Sequence, residues 1–148
     1  MKAVIQRVLS ASVIIDGKKI SSINKGLLVL MGVEKEDALE DLNYLVKKTV
    51  GLRIFKDENE NMNLAISHVG GEVLVVSQFT LCADTKKGRR PSFINAAPPE
   101  IAESIYQQYC EKLREENISV QMGQFGAMME VKLINDGPVT IVLDSRER

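Results

Sequence analysis

The chain has 148 residues, 45% of them hydrophobic and 26% charged, which is enough apolar material for one globular domain spanning 1-148. Its formal net charge of −1 excludes the broad basic field of a general nucleic-acid binder, so any contact with RNA has to be local. The opening Met1-Lys2-Ala3-Val4-Ile5-Gln6-Arg7 lacks the apolar stretch of a signal peptide, and no window reaches the roughly 20 apolar residues of a membrane helix, so a cytoplasmic protein without a membrane partner is expected.

Strand signals outnumber helix signals along the chain. Residues 2-8 and 10-16 read as two strands, and Asp16-Gly17 marks a hairpin into Lys18 to Ile23. The unbroken apolar run Gly26 to Val33 predicts a strand covered on both faces. The period then changes: Asp37 is placed to cap a helix, with Glu40 three residues on, and Ala38, Leu39, Leu42, Leu45, Val46 and Val50 recur at helical spacing up to Gly51. Arg53-Ile54-Phe55 predicts a short strand ahead of the turn Asp57 to Asn61. After Gly70-Gly71 a strand is expected over 72-81, followed by a polar loop from about 82 to 97 that is long enough to be functional. Pro98-Pro99 suits the entry of a second helix with the stripe Ile101, Ala102, Ile105, Tyr106, Tyr109, Cys110 and Leu113. Three more strands are expected at 118-123, 128-134 and 138-144, with Gly123 and Gly126 at the bend between the first two. With no internal repeat or linker, the expected fold is α+β: a strongly curved, mainly antiparallel, barrel-like sheet covered by two main helices.

The catalytic inventory is mostly negative. Cys82 and Cys110 lie far apart without a C-x-x-C, and His68 is the only histidine, so neither a disulfide framework nor a metal site is expected. A serine or threonine nucleophile needs an adjacent base, which His68, ahead of Val69-Gly70-Gly71, does not offer. The acidic residues fall in solvated turns and helix faces, and no phosphate-cradling glycine motif is present, so no cofactor is expected. An enzyme built on this chain has to use backbone groups and its substrate's own atoms on a bond that is already labile. Asn135-Asp136-Gly137-Pro138-Val139-Thr140 is informative in that light. Gly removes a side chain and Pro a donor, leaving a bare carbonyl in a stiff frame, although Asp-Gly-Pro alone also reads as a turn opener. Its counterpart is Ser77-Gln78-Phe79-Thr80-Leu81, ending the apolar run Val73 to Val76.

Those two segments, with Lys87-Gly88-Arg89-Arg90-Pro91-Ser92-Phe93 between them, resemble the D-aminoacyl-tRNA deacylase family. The likeness extends in order through Gln6-Arg7-Val8, Lys25-Gly26-Leu27-Leu28-Val29, Leu52-Arg53-Ile54-Phe55, Met62-Asn63-Leu64 and Asn95-Ala96-Ala97-Pro98-Pro99. One departure is visible: Met128 stands where most relatives are expected to carry an acid, a position outside the central motifs that bears on a local surface contact, not on the activity. The resemblance implies a homodimer that hydrolyses the ester between a D-amino acid and the 3′-terminal adenosine of tRNA, and that also removes glycine from alanine-specific tRNA. It implies a cis Gly137-Pro138 peptide reaching into the partner's active site, where its carbonyls confront the substrate's α-carbon and reject L-residues. Backbone N–H groups of Phe79 and Thr80, expected at the end of a rigid strand, are candidates for the oxyanion hole, and the terminal ribose 2′-OH would assist.

Each remaining residue has a plainer reading beside the functional one. Thr80 is either a nucleophile or a β-branched strand residue kept for its backbone. Gln78 either orients the adenosine or satisfies a strand edge, Phe79 either stacks on the terminal base or fills core, and Ser77 goes with them as a substrate contact. Lys86, Lys87, Arg89 and Arg90 form a basic cluster for RNA phosphates or a solvated loop. Arg7 either braces Gly137-Pro138 or is structural, and Met62 and Asn63 either line the pocket or close a turn. A pure RNA-binding module would share the basic loop but would not need a proline wall, and an ordinary esterase would need a base that is not displayed.

Overall fold

The computed structural model describes residues Met1 to Arg148. Its longest elements are β1 (Lys2–Ile15) and β8 (Glu130–Asp144), each a single strand where two shorter ones were expected. β1 stays continuous because both of its edges are paired. One edge takes β3 (Gly26–Gly32) along its first half and β2 (Lys18–Ile23) along its second, while β8 runs antiparallel along the other. The expected breaks survive as irregularities: the β1–β8 register shifts between Gln6 and Val8 and again between Val8 and Ser10, where Arg7 faces the Gly137-Pro138 segment. Such bulges bend a strand and increase its twist without ending it. Asp16 and Gly17 both have positive φ, 48° and 75°, as a tight two-residue hairpin demands.

Beyond β3 the sheet becomes parallel. β6 (Glu72–Ser77) runs alongside β3, and β7 (Ser119–Met122) alongside β6. Parallel neighbours need long crossovers, and the two helices supply them: α1 (Leu39–Gly51) between β3 and β6, α2 (Pro99–Glu115) between β6 and β7. The strand order β2-β1-β3-β6-β7, with β8 on the free edge of β1, is thus a mainly antiparallel α+β sheet with two helices over it. Ile5, Val29 and Val75 on one face pack against Leu45, Tyr109 and Leu113 of the helices. On the other face, Val8, Ala11 and Val13 fold over Leu28, Leu74 and Val76, so the sheet curls back on itself into a barrel-like shape.

Local details depart from expectation for identifiable reasons. Ala38, not Asp37, is the N-cap of α1, and the Asp41 carboxylate reaches back to accept from the Ala38 N–H at 2.8 Å. Asp37 is engaged elsewhere, pairing with the Met1 ammonium at 2.5 Å and accepting from the Glu34 N–H. Burial raises the Asp41 carboxyl, but the Ala38 N–H and neighbouring charges outweigh it and hold the group below its ordinary range. The short strand expected at 53-55 is β4 (Phe55–Lys56), paired with β5 (Met62–Leu64), because Asp57 closes the turn by accepting from the N–H groups of Asn59 and Asn61. In α2, Ile101 is 52% exposed, and the buried stripe is Tyr106, Tyr109, Cys110 and Leu113.

Candidate active site

The strand expected over 72-81 ends at Ser77, and a 3-10 turn, Phe79–Cys82, follows. The cause lies in its neighbour: Met31 opposite Ser77 is the last β3–β6 pair, and the Gln78 N–H closes the ladder on the Met31 carbonyl at 2.7 Å. With no strand left to pair, the chain turns. Gly32 makes room for it, since a Cβ there would stand 3.0 Å from the Gln78 carbonyl oxygen and 3.1 Å from Cys82 Sγ. Phe79 and Thr80 therefore sit on a turn and not on a strand, and the alternation that would have put Phe79 in the core does not apply. Phe79 is 56% exposed and packs edge-on against Phe93 of the long loop, ring centroids 5.0 Å apart. The N–H groups of Phe79 and Thr80 open the turn, where helical geometry provides no intrahelical acceptor. Gln78 Nε2 donates to Thr80 Oγ1, so the hydroxyl is oriented by an amide.

Beside this turn lies a cleft of about 540 Å³. Ser77, Gln78 and Phe79 form one side, Ala97 and Pro99 at the head of α2 another, and Phe125 to Met129 the third. No ionisable side chain lines it. His68 is spent locally, its Nδ1 accepting from the Ala65 N–H at 3.3 Å. The last residue of the turn, Cys82, is buried, its thiol donating to the Val33 carbonyl, and burial together with the Glu34 charge pushes that thiol up to about 11. The cleft can therefore hold an uncharged, partly apolar group and offer main-chain donors at its edge, but it has no side chain to act as a general base.

The second motif lies elsewhere in the chain. Gly137-Pro138 is a cis peptide within β8, exposed and outside the cleft. Arg7, only 3% exposed, holds this stretch: its Nε donates to the Asp136 carbonyl at 3.2 Å and pairs with the Asp136 carboxylate at 3.1 Å, while its Nη1 donates to the Ile54 carbonyl. Gly137 has φ +128°, and a Cβ there would lie 2.8 Å from Val139 Cγ2 and 3.2 Å from Arg7 Nη2. Met62 and Asn63 belong to β5, in the hairpin that follows Ile54, and line no part of the cleft; Asn63 is gripped by Arg53. Counting along the paired strands, Gly137-Pro138 and Ser77 are about four residues apart lengthwise and three strands apart crosswise, roughly 20 Å at ~3.3 Å per residue and ~4.8 Å per strand.

Lys86, Lys87, Arg89 and Arg90 are all exposed in the loop closed by the single Asp84–Ser92 bridge, and none is in an ion pair. The reading of the sequence missed Phe93, Phe125, Met128 and Met129 as neighbours of the Ser77-Gln78-Phe79 motif. Met128, read as lying outside the two central motifs and bearing on a surface contact, is exposed, and the chain after the Gly123–Gly126 bend runs along the cleft with Met128 among its lining residues. The glycine spacing carried that signal, but not its destination.

Comparison with known proteins covers almost the whole chain. Residues 4–144 match the family described as D-Tyr-tRNA(Tyr) deacylase. A "D-aminoacyl-tRNA deacylase" of Desulfatibacillum aliphaticivorans is 56% identical over 99% of this chain and 100% of its own length, and one of Thermosipho africanus is 52% identical over 99% of each. Among solved structures, the c-Myc DNA unwinding element binding protein superposes with a TM-score of 0.92 at 42% identity, covering 97% of this chain and 98% of that one. A probable eukaryotic D-amino acid tRNA deacylase, at 16% identity and a TM-score of 0.80 over 96% and 97% of the two chains, shares the fold.

Proposed function

This chain belongs to the D-Tyr-tRNA(Tyr) deacylase family, and from that premise we propose that it releases D-amino acids from mischarged tRNA, and glycine from alanine-specific tRNA, through a site shared by two copies of itself. It is a hydrolase of the aminoacyl-tRNA ester. The observation that carries the mechanism is the cleft without an ionisable side chain, with Phe79 in its wall at the start of a turn whose first N–H groups, those of Phe79 and Thr80, have no main-chain acceptor. An aminoacyl ester is activated, so positioning and charge stabilisation suffice where no general base is at hand. Water adds to the ester carbonyl with help from the terminal ribose 2′-OH. The negative charge that develops on the carbonyl oxygen faces the Phe79 and Thr80 N–H groups. The bond to the ribose 3′-oxygen then breaks, the ribose oxygen takes up one of the water's protons, the other passes to solvent, and the amino acid leaves as a carboxylate. Ser77 and Gln78 hold the substrate, and Lys86, Lys87, Arg89 and Arg90 take the RNA phosphates.

Selectivity in this reading comes from Gly137-Pro138 of the second copy. Many D-side chains have to be accepted and every L-residue refused, so a pocket shaped to one side chain would fail. A main-chain wall against the α-carbon excludes the L-configuration, lets the D-side chain point outwards and cannot exclude glycine. Support for the second copy is the placement: Gly137-Pro138 lines no part of its own chain's cleft and lies about 20 Å from Ser77 counted along the curled sheet. The outer edge of β8 has no partner strand, and the strand leaves Val142 75% exposed toward one end and Ile134 57% exposed toward the other, near Leu9, apolar side chains suited to a copy of itself. The setting is the cytoplasm, where aminoacyl-tRNA is made and used. Incubating the protein with D-tyrosyl-tRNA and L-tyrosyl-tRNA and following free tyrosine tests the reading. Release from the D-ester alone is expected; equal rates, or none from either, would overturn it.

A further inference from the structure

We propose that Met128 is a positioning residue that closes over the base of the terminal adenosine, an inference that rests on the deacylase reading above. Met128 is 93% exposed, more than any other large hydrophobic side chain in the protein, yet it forms part of the cleft wall with Phe79, Phe125 and Met129. Its neighbour Met129 is committed inward, packed so closely over Gly123 that a Cβ there would stand 2.9 Å from the Met129 sulfur. Gly126, at φ +74° and with open space around it, turns the chain so that Met128 overhangs the mouth. A thioether standing in water at the lip of an uncharged cleft buries its surface only when a ligand arrives, and its sulfur suits the edge of an aromatic ring.

The occupant follows from what varies among substrates. D-side chains include charged ones, and a charge stranded in a cleft with no ionisable partner is strongly disfavoured. The base is the same in every substrate, is planar, and presents an edge that the Gln78 amide in the same wall can meet.

Steady-state kinetics on D-tyrosyl-tRNA and on the minimal ester 3′-(D-tyrosyl)adenosine test the assignment. Met128→Ala is expected to raise KM about tenfold on both substrates with kcat within about twofold, the size of a lost buried methionine contact. Met128→Leu restores KM to within about twofold, since the contact is one of area. An unchanged KM in Met128→Ala, a fall in kcat at constant KM, or an effect on full tRNA that is absent on the minimal ester would overturn it. The wild type separates the two levels: if it releases no D-tyrosine, the deacylase reading fails, whereas an active wild type matched by Met128→Ala refutes the role of Met128 alone.

Discussion

The Gln78-to-Cys82 turn and the Asp136-to-Pro138 segment are both poor in side-chain chemistry, yet they are held by different physics. The turn is pinned by main-chain bonds: Gln78 to Met31 at 2.7 Å, Leu81 to Gln78 at 3.1 Å and Ala83 to Thr80 at 3.2 Å. The Gly-Pro segment is held by side chains: the buried Arg7 serves the Asp136 carbonyl, the Asp136 carboxylate and Ile54 at once, and Asn135 Oδ1 accepts from the Val139 N–H at 3.1 Å across Gly137-Pro138. A site pinned by its backbone should tolerate side-chain substitution, whereas one pinned by two side chains, of which only Arg7 is charged and buried, concentrates its geometry in them. The difference can be broken by mutation.

The largest effect is expected at Arg7. Arg7→Ala removes the donor for two buried or half-buried carbonyls and leaves the Asp136 carboxylate without its partner, and should cost about 2–4 kcal/mol in urea unfolding. Deacylation should fall at least as steeply, because the segment loses its only charged anchor. Arg7→Lys keeps the charge but not the fork, and should recover stability better than activity. Full activity in a destabilised Arg7→Ala would separate the brace from the site and undo the comparison.

Gly137→Ala comes next. At φ +128° any side chain is strained, and the new Cβ would press on Val139 and on the arginine that holds the segment. A loss of about 1–3 kcal/mol is expected, together with a narrower gap between D- and L-tyrosyl-tRNA cleavage if this main chain is the selective wall. A stable variant with its selectivity intact would move the chiral filter elsewhere.

How far these two regions were legible in the sequence differs for the same reason. The helices, the Asp16-Gly17 hairpin and the doubly covered β3 follow from local period and turn chemistry, and all are present. Bends inside long strands were read as ends, because at Val8 and at Gly137-Pro138 the local signal says break while pairing on both edges of β1 holds the strand together. The strand 72-81 was overextended because its end depends on where β3 stops, not on its own residues. The Gln78-Phe79 motif was legible as a motif. Its companions were not: only the loop after β7 brings Phe125 and Met128 to the cleft, and only the long loop before α2 brings Phe93 against Phe79.

A smaller effect is expected at Thr80. Its hydroxyl meets only the Gln78 amide and no base, so Thr80→Ala should leave stability within about 0.5 kcal/mol and activity within about tenfold of wild type. Thr80→Pro, which removes the N–H and not merely the hydroxyl, should abolish cleavage far more completely. Loss of several orders of magnitude in Thr80→Ala at unchanged stability would make the hydroxyl a nucleophile and remove the main-chain account of this region.

The smallest effect is expected at Cys82, and it tests whether the turn is as fixed as its hydrogen bonds imply. Burial and the Glu34 charge raise this thiol from 9.0 to about 11, so the folded state holds the proton more tightly than the unfolded chain. Its contribution to stability is therefore complete below pH 9 and is lost as the pH rises through about 11. At pH 8 only about one thiol in a thousand would be ionised, and the residue is buried at the end of the turn, so iodoacetamide should leave mass and activity unchanged until urea is added. Native alkylation of Cys82 at pH 8 with loss of deacylation would mean that the turn lifts away from β3. The region taken as rigid would then be the mobile one, and Arg7 would be holding the more stable half of the site.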